Sequence, residues 1–377
     1  MKKILIFSLC ITFLLITAGC KQKNTTEYTE QGEGETVELR YAKGFDITRR
    51  ADYTTLTVHN PWKKGEILDR YYLVKHDSVN TPDNSRKITV PISKLMANSA
   101  TYFGFLEMLG EIDKVTGVCN AQYIYNPTII RGVEEGTIKE LGESYNLDIE
   151  NLMMLHPQVV MTTAYNAADE NTRRLEQSGL KVVYNVEWTE PSMLGRAEWI
   201  KFMAEFFDKG ALADSLFTEV DRNYHSLKQM VAETDQHPTI FSGQDFRGTW
   251  SMAGGKSYTA QLFRDAQASY HFNNDSTTSI SGTIEEAMML FSKAELWIGV
   301  NAASLKELKQ LNSKYNIFEA FKQGKVWNNN RRNTPQGGND YWESGVARPD
   351  LLLKDMIKIC HPEILPDYEP FYYEQLK

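Results

Sequence analysis

The sequence predicts an α/β protein with two Rossmann-like lobes that a single long helix joins, preceded by a small β-rich extension. Three observations lead to this prediction. The chain has 377 residues, enough for roughly two or three units of about 150 residues. Short apolar strands alternate with amphipathic helices, which is typical of parallel sheets with crossover helices. A seven-residue helical pattern occurs once in each half of the chain, which indicates a structural duplication.

The first twenty residues have the pattern of an export signal. Lys2 and Lys3 precede an apolar run over residues 4–16, and the small residues Thr17, Ala18 and Gly19 follow it. A basic start, a short apolar segment and small residues at a cleavage site are typical of a secretory signal. The apolar run is shorter than the ~20 residues that span a bilayer. We therefore expect residues 1–19 to be a signal peptide rather than an uncleaved membrane anchor.

The segment over residues 15–20 (LITAGC) resembles the lipobox of bacterial lipoproteins. The resemblance implies that Cys20 is diacylated and becomes the new N-terminus. Two acyl chains anchor a protein stably to a membrane. We expect a protein of the periplasm or outer cell envelope that the lipid at Cys20 holds to a membrane. Export makes a disulfide between Cys119 and Cys360 feasible, but their apolar neighbours favour two buried free thiols.

A polar segment and a group of short strands follow Cys20. Residues 20–36 lack apolar periodicity and predict a flexible tether. Alternating apolar residues recur between 37 and 86, at 37–41, 55–58 and 67–74. Period-two patterns separated by turn residues predict strands. We expect residues 37–86 to form an accessory antiparallel sheet.

The first lobe is predicted over residues 87–192. Apolar runs predict four strands, at residues 88–92, 115–118, 159–162 and 181–184. Apolar residues at helical spacing predict three helices, at residues 99–109, at 147–155 and in a segment ending at 178. Gly110 directly follows the first of these helices, where it can act as a C-cap.

Inter-lobe helices are predicted over residues 193–235 and the second lobe over residues 236–377. The helix expected from Ala211 to Ala232 would be more than about 30 Å long at 1.5 Å per residue. In the second lobe we predict strands at 239–242 and 296–300, with helices at 258–266 and 284–291.

The repeated pattern consists of residues 149–155 (IENLMML) and residues 284–290 (IEEAMML). A predicted strand follows each copy, which favours duplication over chance similarity between apolar helix faces. The paired methionines are expected in the core, because a flexible thioether fills irregular gaps.

Composition and motifs provide no support for several classes of function. The net charge of -8 provides no basic footprint for nucleic acid. The seven histidines lack the spacing of a local metal site, and neither His-Glu-x-x-His nor Cys-x-x-Cys occurs. No Gly-x-Ser-x-Gly nucleophile elbow is present. We therefore assign no catalytic residue, no metal ligand and no cofactor.

Residues 142–162 (GESYNLDIENLMMLHPQVVMT) resemble the signature of ABC-transporter substrate-binding proteins of the rigid inter-lobe helix class. Those proteins bind iron-siderophore complexes, haem or cobalamin. Gln158 departs from the pattern, where an acidic residue follows the proline. The resemblance continues through residues 194–200, 320–327 and 345–350. It covers about residue 87 to the C-terminus, whereas residues 37–86 have no counterpart in the smaller members.

The resemblance implies a monomer that holds a metal chelate in a shallow cleft between the lobes and delivers it to an ABC importer. The chelate brings its own metal. Glu150 and Glu285, at equivalent places in the repeat, would dock on arginines of the permease, with Glu286 as the alternative in the second lobe. The other interpretation of these glutamates is that they favour the positive ends of helix dipoles.

Ligand-binding residues are expected just after the strands, at the switch between the lobes. Rings would stack on the ligand, and arginines would pair with its acidic groups. Trp250 is the best candidate, since it is predicted in a Gly-rich loop, whereas Trp199 and Trp297 are assigned to the core. The full set of candidates is Tyr123, Trp188, Arg247, Trp250, Tyr258, Arg331, Tyr341 and Trp342.

Two other functions stay open at the level of the sequence. The first is a lipoprotein hydrolase acting on envelope glycans or esters, which paired carboxylates of raised pKa in a cleft would favour. The second is a structural or adhesive lipoprotein, which an aromatic cleft would argue against.

Overall fold

The computed structural model describes residues 34–165 and 170–377. The predicted signal peptide, the lipidation site at Cys20 and nearly all of the predicted tether lie outside the described residues. Within these two ranges, each helix is too short or too polar to cross a membrane.

A five-stranded sheet precedes the first lobe. Its strands are adjacent in chain order, and the first four pair antiparallel. They are β1 (Glu35–Thr36), β2 (Phe45–Arg49), β3 (Tyr53–His59), β4 (Ile67–Val74) and β5 (Lys87–Thr89). Strand β5 pairs parallel to β4, with Ile88 opposite Leu73. The strand predicted at residues 88–92 therefore belongs to the accessory sheet and not to the first lobe, because alternation predicts a strand but not its partner.

The first lobe contains a parallel sheet with the order β12-β11-β6-β7-β8. Its strands, with a short hairpin of β9 and β10, are β6 (Leu95–Ala97), β7 (Val115–Val118), β8 (Lys139–Glu140), β9 (Gly142–Glu143), β10 (Asn146–Leu147), β11 (Val159–Thr162) and β12 (Val182–Tyr184). Its helices are α1 (Thr101–Leu109), α2 (Pro127–Glu134), α3 (Ile149–Leu155) and α4 (Glu170–Gln177).

Two packed helices follow, α5 (Met193–Glu205) and α6 (Gly210–Val231). Helix α6 is the predicted long helix, and its 22 residues correspond to about 33 Å. Its first half places Ala213 and Phe217 in the core of the first lobe. Its second half places Tyr224 and Val231 in a core of the second lobe. One helix therefore contributes to both cores.

The second lobe has a mixed sheet with the order β16-β13-β18-β19-β20, in which only β20 is antiparallel. A separate antiparallel sheet has the order β14-β15-β17. The strands are β13 (Thr239–Ser242), β14 (Asp245–Phe246), β15 (Thr249–Ala253), β16 (Ser269–Tyr270), β17 (Ser279–Gly282), β18 (Leu296–Ile298), β19 (Val326–Asn328) and β20 (Glu374–Gln375). The helices are α7 (Tyr258–Asp265), α8 (Ile284–Phe291), α9 (Leu305–Leu311), α10 (Glu319–Lys322), α11 (Ser344–Ala347) and α12 (Pro349–Cys360).

The two copies of the repeated pattern form helices α3 and α8, and β11 and β18 follow them. The prediction that their methionines are core residues is wrong for Met153, Met154 and Met289, which are 44%, 69% and 76% exposed. Each helix covers its sheet with one face only. In α8 that face carries Ile284 and Ala287, and the last methionine of each pair points to solvent.

The chain just before β2 crosses the two connecting helices. The buried carboxylate of Glu198 in α5 accepts hydrogen bonds from the backbone N–H groups of Arg40, Tyr41 and Ala42, at 3.0, 2.8 and 2.9 Å. The Tyr41 hydroxyl and the Arg40 guanidinium both donate to Asp221 of α6, each at 2.7 Å. The extension is therefore fixed to both connecting helices.

The next two residues complete this attachment. The N–H groups of Lys43 and Gly44 donate to Oε1 of Glu190 at 2.9 and 2.8 Å. Trp199 donates its indole N–H to the same oxygen at 3.0 Å. We call residues 40–44 the strap.

Candidate functional site

A cleft of about 570 Å³ lies between the two lobes. On the side of the first lobe its wall is the segment from Trp188 to Pro191, between β12 and α5. On the opposite side, Ser242 ends strand β13 and Ile298 ends strand β18. These are carboxyl ends of neighbouring parallel strands, the place where open α/β sheets bind ligands.

Aromatic rings line much of this cleft. Trp188 and Trp342 are 39% and 46% exposed. The Trp188 indole N–H donates to the hydroxyl of Thr163 at 2.8 Å, and its ring lies 5.7 Å from that of Tyr165, centroid to centroid. The hydrogen bond fixes the orientation of the indole while more than a third of the residue stays open to solvent.

Two hydroxyl-bearing residues, Tyr341 and Tyr373, also line the cleft, and the Tyr373 hydroxyl donates to that of Tyr341 at 3.5 Å. Burial raises the pKa of Tyr341 to about 12, so its hydroxyl remains protonated at neutral pH. Further hydroxyls come from serine and threonine side chains. Among them are Thr189, Ser242, Ser251, Thr259, Thr278 and Ser279.

Charge is scarce in the cleft. No lysine, arginine or histidine is found among the described residues that line it, and Glu190 is the one carboxylate there. Burial raises the pKa of Glu190, and the N–H donors of the strap and of Trp199 oppose that shift. The Arg196 guanidinium lies 5.2 Å from the Tyr258 ring centroid and pairs with buried Glu187 at 3.2 Å. The charge of Arg196, which packs behind the cleft residue Tyr258, is therefore paired with a carboxylate.

The structure brings four of the eight predicted ligand residues to the cleft. They are Trp188, Tyr258, Tyr341 and Trp342. The other four lie elsewhere.

Trp250, the best candidate from the sequence, is a core residue. It is 0% exposed, its indole N–H donates to the carbonyl of Ser242 at 3.1 Å, and its ring stacks on Trp297 at 5.7 Å. The predicted loop is in fact strand β15, which places Trp250 inside and its neighbour Ser251 on the cleft. The core assignment of Trp297 is confirmed, as is that of Trp199, since both are 0% exposed.

Both predicted arginines and Tyr123 are absent from the cleft lining. Arg247 occupies the hairpin turn between β14 and β15, with φ 52°, and lies over the ring of Phe246. Arg331 pairs with Glu369 at 3.5 Å. Tyr123 is 57% exposed and packs beside Gly337. These residues follow strands or lie near glycines, but such positions do not determine the direction in which a turn orients its side chains.

Sequence reasoning missed Pro61 and Trp62, which line the cleft from the turn between β3 and β4. The available signal was a tryptophan in a polar turn, where an apolar core contact is not expected. Alternating apolar residues predict an accessory sheet over residues 37–86, but not where that sheet lies relative to the cleft.

Glu150 and Glu285 occupy the second position of α3 and α8, and both are exposed. Lys314 pairs with Glu285 at 2.7 Å, and this hydrogen bond lowers the pKa of Glu285. Glu286 instead accepts from the backbone N–H of Thr283 in a capping box. Of the two second-lobe candidates, Glu286 is therefore engaged by the cap of its own helix, whereas Glu285 forms an ion pair with Lys314 on the surface.

Within the described ranges, no cluster of histidine, cysteine, aspartate or glutamate could hold a metal ion. Cys119 and Cys360 are free and buried, as expected from their apolar neighbours. The cleft also lacks a pair of carboxylates among its described residues, so the hydrolase hypothesis gains no support.

Comparison with known proteins agrees with the fold. An uncharacterized lipoprotein of Methanocaldococcus jannaschii is 24% identical, over 96% of this chain and 94% of its own length. A periplasmic heme-binding protein from Pseudomonas aeruginosa matches with a TM-score of 0.57 at 13% identity, over 76% of this chain and 98% of that one. A periplasmic vitamin B12-binding protein of Vibrio cholerae matches with a TM-score of 0.53 at 11% identity, over 74% and 99% of the two chains.

The family described as periplasmic binding protein matches residues 96–326, more than half of the chain. Strands β1 to β5 and the strap precede the matched residues. Two α/β lobes, the helix shared by both cores and the cleft between them accompany this match. The chain therefore belongs to the periplasmic binding protein family, whose members are solute-binding proteins and not enzymes.

Proposed function

We propose that this protein is a lipid-anchored substrate-binding protein that captures a metal chelate and delivers it to an ABC importer. The chelate would be an iron-siderophore complex, haem or cobalamin. The observation that carries the proposal is the cleft between the lobes, lined by rings and hydroxyl groups. The similarity to proteins named for heme and vitamin B12 binding and to a lipoprotein supports it.

The dimensions and chemistry of the cleft suit such a ligand. Its volume of about 570 Å³ is within the usual range of about 300–1,000 Å³ for small-molecule sites. Indole and phenol rings provide apolar surface for a ring system, and hydroxyl groups provide hydrogen bonds to its polar periphery. A chelate supplies its own metal, so the protein needs no metal cage.

The scarcity of charge favours a chelate that is neutral or nearly so. Enclosing an anionic group without a cationic partner is unfavourable, because the group loses its hydration. The carboxylates of haem would find no lysine, arginine or histidine among the described residues of the cleft. We therefore place a corrinoid or an uncharged ferric hydroxamate ahead of haem.

Tryptophan fluorescence tests the proposal directly. Trp62, Trp188 and Trp342 line the cleft, so an occupied site should quench their emission. We expect saturable quenching at micromolar protein with cyanocobalamin or a ferric trihydroxamate, and weaker binding of haem. Equilibrium dialysis controls for light absorption by the coloured ligands. The absence of a saturable response to all three would contradict the proposal.

For delivery, we propose that Glu150 and Glu285 dock on cationic groups of the permease. Their equivalent placement on α3 and α8 supports this role. Four residues later each helix exposes a methionine, Met154 or Met289, and residues four apart share one face of a helix. Each lobe thus presents one carboxylate beside one flexible apolar side chain.

A further inference from the structure

We propose that the N-terminal extension supplies part of the ligand site, with Trp62 as a binding residue for the ring system of an uncharged chelate. This inference rests on the proposed function. The extension precedes the residues that match the family. Yet Pro61 and Trp62 line the same cleft as Trp188 and Trp342.

The turn that carries Trp62 is held in place by hydrogen bonds. The buried side chain of Asn60 accepts from the backbone N–H groups of Trp62 and Lys63, at 3.0 and 3.1 Å. The N–H of Asn60 in turn donates to the carbonyl of Glu66 at 2.9 Å. An asparagine that bonds to the backbone two residues later is a common device for fixing a turn. Trp62 is thus presented by a defined turn.

Hydrogen bonds also connect this turn, through the strap, to the first-lobe wall of the cleft. The N–H of His59, next to Asn60, donates to the carbonyl of Gly44 in the strap at 2.8 Å. The N–H of Gly44 donates to Glu190 at 2.8 Å, and Glu190 itself lines the cleft. The position of Trp62 is therefore coupled to the wall formed by the first lobe.

The two indoles leave surface available for a ligand. Trp62 is 37% exposed and Trp188 is 39% exposed. Their ring centroids are 6.5 Å apart, and their planes are inclined by 51°, so the two rings do not cover each other's faces. A ring system that enters the cleft would bury apolar area on both indoles, which favours binding.

The test is the affinity of the full protein for cyanocobalamin and a ferric trihydroxamate, measured by equilibrium dialysis. We expect Trp62→Ala to raise Kd by about 3- to 10-fold, the usual scale of one lost aromatic contact. Trp62→Phe, which keeps a ring, should fall between the wild type and Trp62→Ala. Ile67→Ala is the matched control, because Ile67 is 47% exposed on β4 of the same sheet and does not line the cleft. Unchanged melting temperatures would verify folding.

The outcomes separate this inference from the proposed function. Failure of the wild type to bind any chelate would overturn both. Binding by the wild type with an unchanged Kd for Trp62→Ala would overturn the inference alone. An equal loss of affinity in Ile67→Ala would also overturn it, since the extension would then act through general stability and not through ring contact.

Discussion

A single buried carboxylate, Glu343, links the C-terminal segment to the first lobe. Its oxygens accept hydrogen bonds from the backbone N–H groups of Tyr125 and Asn126, the latter at 3.0 Å. Burial raises the pKa of Glu343 to about 8, the two N–H donors oppose that shift, and the charge of nearby Asp340 adds to it. In the folded protein the titration of this side chain is therefore moved from the acidic range toward neutral pH.

The raised pKa of Glu343 predicts a pH-dependent stability. A carboxyl group whose pKa is higher in the folded state stabilises the protein at pH values below its unfolded pKa, about 4.3. That contribution is lost as the pH rises toward about 8. Glu343→Gln removes this titrating group. As the pH rises from about 4.3 to about 8, the free energy of unfolding of the wild type should therefore fall relative to that of the variant. Urea denaturation at several pH values would measure it, and parallel pH profiles of the two proteins would contradict the assignment.

The tryptophans show how far residue roles follow from the sequence. Trp199 and Trp297 were predictable core residues, because each has apolar neighbours at the period of its element. Trp250 was not, since β15 lies among glycines and polar residues that resemble a loop. Its burial depends on the stack with Phe241 and Trp297, which are distant in sequence. Such contacts form only when the sheets pack, and local patterns do not encode them.

At the scale of elements, the strap provides an unusual attachment. Glu198 and Glu190 together accept five backbone N–H groups from residues 40–44. Hydrogen bonds to charged acceptors are stronger than neutral ones. Lys201 compensates the buried charge of Glu198 at 3.1 Å. The extension thus depends on two carboxylates of the family fold.

We predict that Glu198→Gln loosens the strap without unfolding the lobes. In the wild type, one oxygen of Glu198 accepts from the N–H of Arg40 and the other accepts from those of Tyr41 and Ala42. A glutamine keeps only one acceptor oxygen, because its amide nitrogen is a donor, so it cannot replace both. The amides of residues 40–42 should exchange with solvent about 10- to 100-fold faster, the scale of a lost charge-assisted hydrogen bond. Hydrogen exchange measures this directly. Glu219→Gln is the control, because Glu219 lies on the exposed surface of α6. Equal exchange rates of the amides of residues 40–42 in the two variants would refute the role of Glu198.

Many helices and strands followed from periodicity, but the strand predicted at residues 37–41 is not formed and β6 was not predicted. The assembly of the elements did not follow from periodicity either. The long helix was expected from Ala211 to Ala232 and spans Gly210–Val231. In contrast, Lys87–Thr89 joined a different sheet from the one expected. Period two specifies an extended, half-buried segment, but strand pairing depends on which edge is free when the chain collapses. For the same reason, the pattern of the sequence does not reveal that Trp62 lines the cleft.

At the scale of the whole molecule, each lobe exposes the N-terminus of one similar helix, α3 in the first lobe and α8 in the second. Helix α6 contributes to the cores of both lobes. Because one helix is embedded in both lobes, we expect ligand binding to change the distance between α3 and α8 only slightly. A docking surface on these two helices would then be preformed. Recognition by the permease would depend mainly on charge and contact at the two ends.

The double variant Glu150→Ala/Glu285→Ala tests this docking surface. Chelate affinity should stay within about twofold, because neither residue lines the cleft, while uptake should fall by about tenfold or more as both charge contacts are lost. Binding assays and cellular uptake of labelled chelate measure the two effects separately. Glu134→Ala/Glu363→Ala removes one exposed glutamate from each lobe and should leave uptake intact. Normal uptake in the first double variant would refute docking through these residues.

The strap has a consequence for the order of folding. Its contacts with Glu198 and Asp221 join residues separated by 158 and 181 positions. A chain that emerges N-terminus first cannot complete the beginning of the accessory sheet until α5 and α6 have followed. The earliest segment is therefore among the last to be secured, and contacts of such long range slow folding. Until then, the buried carboxylates of Glu198 and Asp221 lack the donors that the strap supplies in the folded protein.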